Sequence, residues 1–360
     1  MLNPVQDNNF EDFSQCLLAW FDQHGRTDLP WQYHPSPYHI WISETMLQQT
    51  QVHTVIPYYQ RFIQRFPEIA LLAEASLDEV LHYWTGLGYY ARARHLYCTA
   101  QKIYHDYQSE FPTEFDELIK LPGIGRSTAG AILALAYGQR FPILDGNVKR
   151  VLCRYHAIEG WPGQRVIERK LWDLATHHTP IQRVSAYTQA IMDIGAIICT
   201  PRRPHCSQCP LQHRCLAHCT DRVALYPTPK PRKTLPIKSV FFLMIQNSSY
   251  EVLLQKRPPK GLWGGLWSFP ECATIELVST WCQEYLNLTS PTYDLWSPVR
   301  HTFTHFHLDI MPIYLRIHSS HPTTFYEEVV WYNITQPPSY GLAAPVVRLL
   351  AQLPLPHSGD

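Results

Sequence analysis

The sequence has no net charge: thirty lysines and arginines balance thirty aspartates and glutamates over 360 residues. Dividing it at residue 225 leaves each part within one charge of neutral. No global field therefore draws a polyanion to the molecule, and any nucleic-acid binding has to use a local surface. No apolar run reaches the roughly 18–20 residues that span a bilayer, so no membrane partner is expected. The first residues, MLNPVQDNNFEDF, contain acidic groups and no apolar centre. They do not read as a secretory leader, which implies a cytoplasmic chain. No internal repeat is found. What is present is a globular composition, 45% hydrophobic and 17% charged, with length for two domains at about 100–200 residues each. Ten cysteines in a reducing compartment suit metal ligation or burial better than disulfides. Eleven tryptophans and twenty-one tyrosines provide surfaces for stacking as well as packing.

The texture changes once. Up to residue 225, apolar residues recur at helical spacing over 10–24, 40–66, 69–83, 91–107, 114–120, 126–138, 147–156, 164–177 and 183–198. Short Gly/Pro breaks separate these segments. YPTPKPRKTLP then opens an extended linker over 226–238, because proline donates to neither helix nor sheet. Beyond it KSVFFLMIQ, EVLLQKR and HFHLDIMPIYLRI alternate or run apolar, as strands do. A first domain over 1–225 and a second over 239–360 are expected.

Cys199, Cys206, Cys209 and Cys215 form C-x6-C-x2-C-x5-C. Four thiolates on one short loop can surround one metal centre. On spacing alone, zinc and iron–sulfur stand level, and Cys219 is available as a substitute fourth ligand. Arg202, Arg203 and Arg214 suit a loop facing phosphate, or simply a solvated face.

Residues 115–138 read as helix, LPGIG hairpin and helix. Gly123 and Gly125 free the backbone of Cβ atoms, so the loop N–H groups and the helix amino end can approach a phosphate. A purely structural turn fits the same pattern. Upstream, Glu44 lies in the apolar stretch WISETMLQQTQV. Such surroundings raise a carboxyl pKa and make a proton donor near neutrality; the alternative is a glutamate complementing a helix dipole. Downstream, Asp145 in FPILDGNVKRVLCR precedes a helix, where capping would keep it ionised. One protonated acid and one carboxylate form the pair that glycosidic cleavage needs, because its transition state resembles an oxocarbenium ion.

LPWQ, WISETMLQQTQV, WTGLGYYARAR, LPGIGRSTAG, ILDGNVKRV and the four-cysteine loop together resemble the MutY-type adenine DNA glycosylases of the endonuclease III superfamily. The likeness continues through GLWGGLWSFP, HTFTHFHLDI and PPSYGLAAP, from about residue 10 to 350. It implies a multi-domain fold: an all-α helix-hairpin-helix glycosylase domain with an iron–sulfur loop at 199–215, plus an α+β Nudix-like C-terminal domain. It implies one [4Fe–4S] cluster per chain on Cys199, Cys206, Cys209 and Cys215, and double-stranded DNA with A:8-oxoguanine or A:G mispairs as partner. A nucleoid-associated monomer of bacterial type is expected.

Roles follow from the resemblance residue by residue. Glu44 matches the general acid for adenine N7, Asp145 the carboxylate facing the sugar cation, and Asn147 the neighbour that orients it. Relatives that also cut the backbone carry a Schiff-base lysine where this chain has Ser127. A monofunctional glycosylase follows, with Ser127's own role left open. Gln189 matches the reader of a flipped adenine, and Trp31 a wall of its pocket. Gln49 and Tyr89, with Gln48 beside them, match residues that enter the duplex. Thr304 and His305, after Phe303, match the sensor of 8-oxoguanine.

Residues 261–290 contain no arginine, so no Nudix box can be built and pyrophosphatase chemistry is not expected. A glycosylase-lyase and a non-catalytic zinc DNA-binding protein are the remaining alternatives. Ser127 and the second domain count against the first, and the paired acidic motifs against the second.

Overall fold

A computed structural model of the chain describes residues 4–33, 35–231, 234–318 and 328–355, with the side chains of residues 4–11 outside the description. Residues 232 and 233 of the expected linker lie outside it too. The first part of the chain is helical: α1 (Pro4–His24), α2 (Pro37–Leu47), α3 (Val52–Arg65), α4 (Ile69–Glu74), α5 (Leu77–Trp84), α6 (Ala91–Asp106), α7 (Phe115–Leu118), α8 (Arg126–Tyr137), α9 (Gly146–Tyr155), α10 (Arg165–His178), α11 (Val184–Asp193) and α12 (Leu216–Cys219). The later part adds β1 (Ile237–Gln246), β2 (Glu251–Lys256), β3 (Trp267–Ser268), β4 (Glu271–Cys272), α13 (Leu277–Leu286), β5 (Asp294–Leu295), β6 (Val299–Thr302), β7 (His307–Arg316), β8 (Val329–Asn333) and α14 (Ala344–Leu350). No described helix is long and apolar enough to cross a membrane.

The chain forms two compact units, residues 1–73 with 98–232, and residues 74–97 with 233–360. The segment 74–97, expected within the first domain, thus groups with the strands. Asp78 accounts for much of this. Its carboxylate accepts from Trp267 Nε1 at 3.2 Å and from Lys256 Nζ at 3.0 Å. Tyr90 Oη donates to the Leu342 carbonyl, and Arg94 to that of Gly264.

In the helical unit, α9 shows how pattern becomes packing. Val148, Val151, Leu152 and Tyr155 recur on one face and are buried, beside Leu17, Ala190, Ile191 and Ile194. The stretch 40–66, expected as one helix, is two. Ser36 caps α2 by accepting the His39 N–H at 3.2 Å. The helix ends because Gln48 leaves the helical region and Gln49 turns left-handed, at φ 59°.

In the second unit, eight strands form one sheet among the described residues. Its centre is the parallel pair β1–β7, in register from Ile237–His307 to Gln246–Arg316. Strands β4 and β6 pair antiparallel with β1 and β7, and β8 with β2. Leu243, Ile245, Leu253 and Ile313 are fully buried, with Val278 of α13 covering them.

One glycine fixes the approach of the chain after α11 to the start of α9. After α11 the chain makes a π turn over Ile194–Ile198. A Cβ on Gly195 would stand 2.5 Å from the Cβ of Asn147, so no larger residue permits this approach. Gly195→Ala is expected to destabilise the protein by about 1–3 kcal/mol, because the added methyl has to displace Asn147. The shift of the urea midpoint measures it, and a wild-type midpoint would show that the turn yields freely.

Candidate active site and iron–sulfur loop

A cavity of about 1500 Å³ opens in the helical unit. Trp31, Glu44, Gln48, Gln49, Ser127, Asp145, Asn147 and Gln189 all line it. Residues scattered over nearly 160 positions of sequence are thus brought to one space. Glu44 reaches it from α2. Asp145 and Asn147 stand at the amino end of α9, and Gln189 comes from α11. Trp31, in a short 3-10 turn, packs edge-on against Tyr59 with centroids 5.4 Å apart.

The two carboxyls have contrasting surroundings. Among the described residues no group hydrogen-bonds Glu44. Burial first, and the neighbouring Asp145 charge second, push its pKa to about 8. Asp145 caps α9, accepting the Val148 N–H at 2.8 Å. Burial raises its pKa above the ordinary value, against the Val148 and Asn147 hydrogen bonds and the Arg150 charge. Capping alone therefore does not set its ionisation, as the sequence suggested; burial outweighs it. When two neighbouring carboxyls compete for one proton, the one without donors keeps it. The donors around Asp145 favour its ionised form, and Glu44 has no such help.

The side chain of Asn147 is fixed in turn. Its Oδ1 accepts from Arg150 Nη2 at 2.8 Å. The same guanidinium donates to the carbonyls of Gly195, at 2.5 Å, and Cys199, at 2.7 Å. Ser127 has a structural contact: its Oγ accepts the Leu144 N–H at 3.0 Å, holding the chain just before Asp145. Gln48 Nε2 reaches Thr128 Oγ1 at 3.5 Å.

Several residues that make contacts here were not singled out from the sequence: Arg26, Asp193, and Arg150 and Arg154 within FPILDGNVKRVLCR. Asp193 was nonetheless detectable as a second polar residue one turn after Gln189 on an apolar helix. Gln189 Nε2 donates to Asp193 Oδ1 at 2.8 Å, and Arg26 donates to the same carboxylate from its backbone and its guanidinium.

The remaining candidates are exposed. Gly123 sits at φ 79° in the hairpin, and Gly125 is the residue before α8, with open space where a Cβ would stand. The first N–H groups of α8 have no carbonyl of their own helix to bond. Tyr89 belongs to the other unit, exposed, at φ 50°, with Arg92 over its ring. Gln49 is likewise exposed and left-handed. Such backbone in a non-glycine residue is strained, and strain of this kind gathers at functional sites. Thr304 and His305 are exposed in the tight turn between β6 and β7, closed by the Phe303 N–H to the Phe306 carbonyl. Trp263 packs against Phe303 there.

The four cysteines surround a second, small cavity of about 30 Å³ with apolar walls. Arg154, 3% exposed, donates to Cys199 Sγ at 3.3 Å and to the carbonyls of Thr200, Pro201 and Tyr226. Cys219 is not in the ring: its thiol faces the Gln212 and His213 carbonyls. Four thiols around one shared space with apolar walls supply the all-thiolate donor set that an iron–sulfur cluster takes. Burial raises Cys209 to about 12, so metal coordination has to drive deprotonation there.

Comparison with known proteins agrees with this geometry. Residues 42–177 match the HhH-GPD superfamily base excision DNA repair protein model, residues 199–215 the iron–sulfur binding domain of endonuclease III, and residues 240–352 the NUDIX domain. An adenine DNA glycosylase of Buchnera aphidicola subsp. Acyrthosiphon pisum (strain APS) is 42% identical, covering 94% of this chain and 96% of its own. The chain belongs to the adenine DNA glycosylase family. The Homo sapiens adenine DNA glycosylase is 36% identical over 72% of this chain and 57% of its own. A solved thermostable thymine-DNA glycosylase overlays on 60% of this chain and 99% of its own, with TM-score 0.55 and 26% identity. The cofactor of this family member is a [4Fe–4S] cluster. Its fold joins a helix-hairpin-helix domain to a Nudix-like one.

If Glu44 is the proton donor, excision is expected below about pH 8 and is lost as pH rises through it. If Asp145 acts as the carboxylate, excision also falls as pH drops through its raised pKa. Single-turnover rates against pH should give a bell with its alkaline limb near pH 8. A profile that stays flat on that side to about pH 10 would remove Glu44 as the donor.

Proposed function

We propose that this adenine DNA glycosylase removes adenine paired with 8-oxoguanine or guanine, after flipping it out of the duplex into the Glu44–Asp145 cavity. The observation that carries the reading is the contrast between the two carboxyls facing one space. Glu44 gives its proton to adenine N7. The N-glycosidic bond then breaks with its electron pair leaving on the base. The Asp145 carboxylate, held by Asn147 and Arg150, stands against the positive charge left on the sugar. Water adds at C1′ and its proton returns to Glu44.

The other residues take supporting roles. Gln189 reads the base edge and Trp31 packs on its face. Gln49, Tyr89 and Gln48 fill the duplex that the base leaves. Gly123, Gly125 and the amino end of α8 hold a DNA phosphate. Cys199, Cys206, Cys209 and Cys215 hold the cluster, which keeps Arg202 and Arg203 on an ordered loop toward the backbone. Thr304 and His305 sense 8-oxoguanine. The protein works as a monomer in the cytoplasm, at the nucleoid. Ser127 has no amine, and its hydroxyl accepts a backbone N–H. Both points support hydrolysis without strand cleavage.

Glu44→Gln is expected to lower adenine release by at least about 10²-fold while duplex binding persists. The wild-type product should be an intact strand with an abasic site, cut only by alkali. A borohydride-trapped covalent adduct formed at turnover rates would contradict this. Thr304→Ala combined with His305→Ala should cut the preference for 8-oxoguanine over guanine by roughly 1–3 kcal/mol. Paired single-turnover assays measure it, and an unchanged ratio would assign the sensing to the helical unit.

A further inference from the structure

Gln189 is an amide, and an amide presents either its oxygen or its nitrogen to a ligand. The two faces have nearly the same shape, so a free glutamine fits a 6-amino purine and a 6-keto purine alike by turning over. In this protein the side chain is not free to turn. Its Nε2 donates to Asp193 Oδ1 at 2.8 Å. Asp193 is completely buried and receives three further N–H groups from Arg26: the backbone N at 2.8 Å, Nε at 3.0 Å and Nη2 at 2.6 Å. Arg26 is anchored as well. Its carbonyl accepts from Gln32 Nε2, whose Oε1 accepts the Leu29 N–H. A carboxylate can only accept, so the amide nitrogen has to face it. Among the described residues no group donates to Gln189 Oε1, and both Gln189 and Arg26 line the cavity.

We infer that Asp193, fixed by Arg26, is a positioning residue that sets the polarity of the Gln189 amide, so that the pocket presents an acceptor and selects a base bearing a 6-amino group. The inference rests on the reading that Gln189 meets the flipped base. Adenine gives its N6–H to Oε1, and the second Nε2 hydrogen remains for a ring nitrogen. A 6-keto purine places its oxygen against Oε1, and the locked amide cannot turn to relieve the repulsion. Selection for the amino group then comes from the locked side as much as from the contact itself.

The test uses full-length, cluster-bearing protein and duplexes with 8-oxoguanine opposite one of three bases: adenine, unsubstituted purine, or hypoxanthine. Single-turnover excision is measured for wild type, Asp193→Asn, Arg26→Gln and Gln189→Ala. An asparagine at 193 can donate to Oε1 and let the amide turn over. Asp193→Asn should therefore lower adenine excision about 10- to 100-fold, leave purine excision within about twofold, since purine has no 6-amino group to lose, and raise hypoxanthine relative to purine. Arg26→Gln removes the guanidinium that fixes the carboxylate and should shift the ratios in the same direction. It carries the test if Asp193→Asn loses its visible cluster absorbance. Equal loss on adenine and purine in the folded variants would make the network merely structural and overturn the inference. If Gln189→Ala leaves the adenine-to-purine ratio unchanged, the base-reading role fails, and the inference fails with it. If that variant collapses the ratio while the other two do not, Gln189 reads the base and only its positioning by Asp193 is refuted.

Discussion

Asp145 accepts the Val148 N–H at 2.8 Å, and that capping bond decides both where α9 begins and where a carboxylate stands. Caps of this kind are worth about 1 kcal/mol, but this one also sets the rotation of the helix. With Asp145 at the cap, Asn147 falls in the first turn beside it. Arg150 follows one turn on and bonds Asn147 and the Cys199 carbonyl. Arg154, another turn along, ends among the cysteine loop at Cys199 Sγ. A single ten-residue helix thus has Asp145 and Asn147 at its start and the cysteine loop at its end.

The second constraint is that two carboxyls share one space without sharing one environment. Glu44 enters on a helix whose neighbouring positions, Trp41, Ile42 and Met46, are nearly or fully buried, and among the described residues nothing donates to its carboxyl. Asp145 sits at a helix amino end amid donors. Burial withholds solvation from both carboxyls, and protein dipoles partly replace it for Asp145. The proposed cleavage rests on this asymmetry.

Much of this was legible from the chain because the chemistry is carried in short contiguous motifs. WISETMLQQTQV, ILDGNVKRV and the cysteine spacing each declare a residue type in a recognisable setting. The strands of the second unit declared themselves by alternation. What escaped was of two kinds. Contacts between residues distant in sequence leave no local mark: Arg26 meets Asp193 across 167 positions, and Ser127 meets Leu144 through a backbone N–H that any residue would have. Backbone turns without glycine or proline also leave none. The helix expected over 40–66 breaks where Gln49 adopts a left-handed conformation, and glutamine does not advertise one. Helices were legible over 69–83 and 91–107, the first of which is split into α4 and α5; the grouping of 74–97 with the strands depends on Asp78, an ordinary surface-type residue until its partners are seen.

The pairing of β1 with β7 has a consequence for how the chain reaches its final state. The two strands run parallel over ten residues, and each partner lies seventy positions from the other, as Ile237 does from His307. No tight turn can bring them together, so the intervening chain must be gathered before the first ladder bond forms, and contact order of this kind slows folding. The helical unit joins distant segments as well, with α8 packed beside α2 and α11 beside α1. During synthesis the carboxylate pair and the cysteine loop emerge well before the last strands. The segment 74–97, made early, has to wait for the sheet that completes its surroundings. Until then Trp267 and Lys256 are missing from Asp78, and an early-made stretch stays open to chaperones and proteases for as long as the rest of the chain takes to appear.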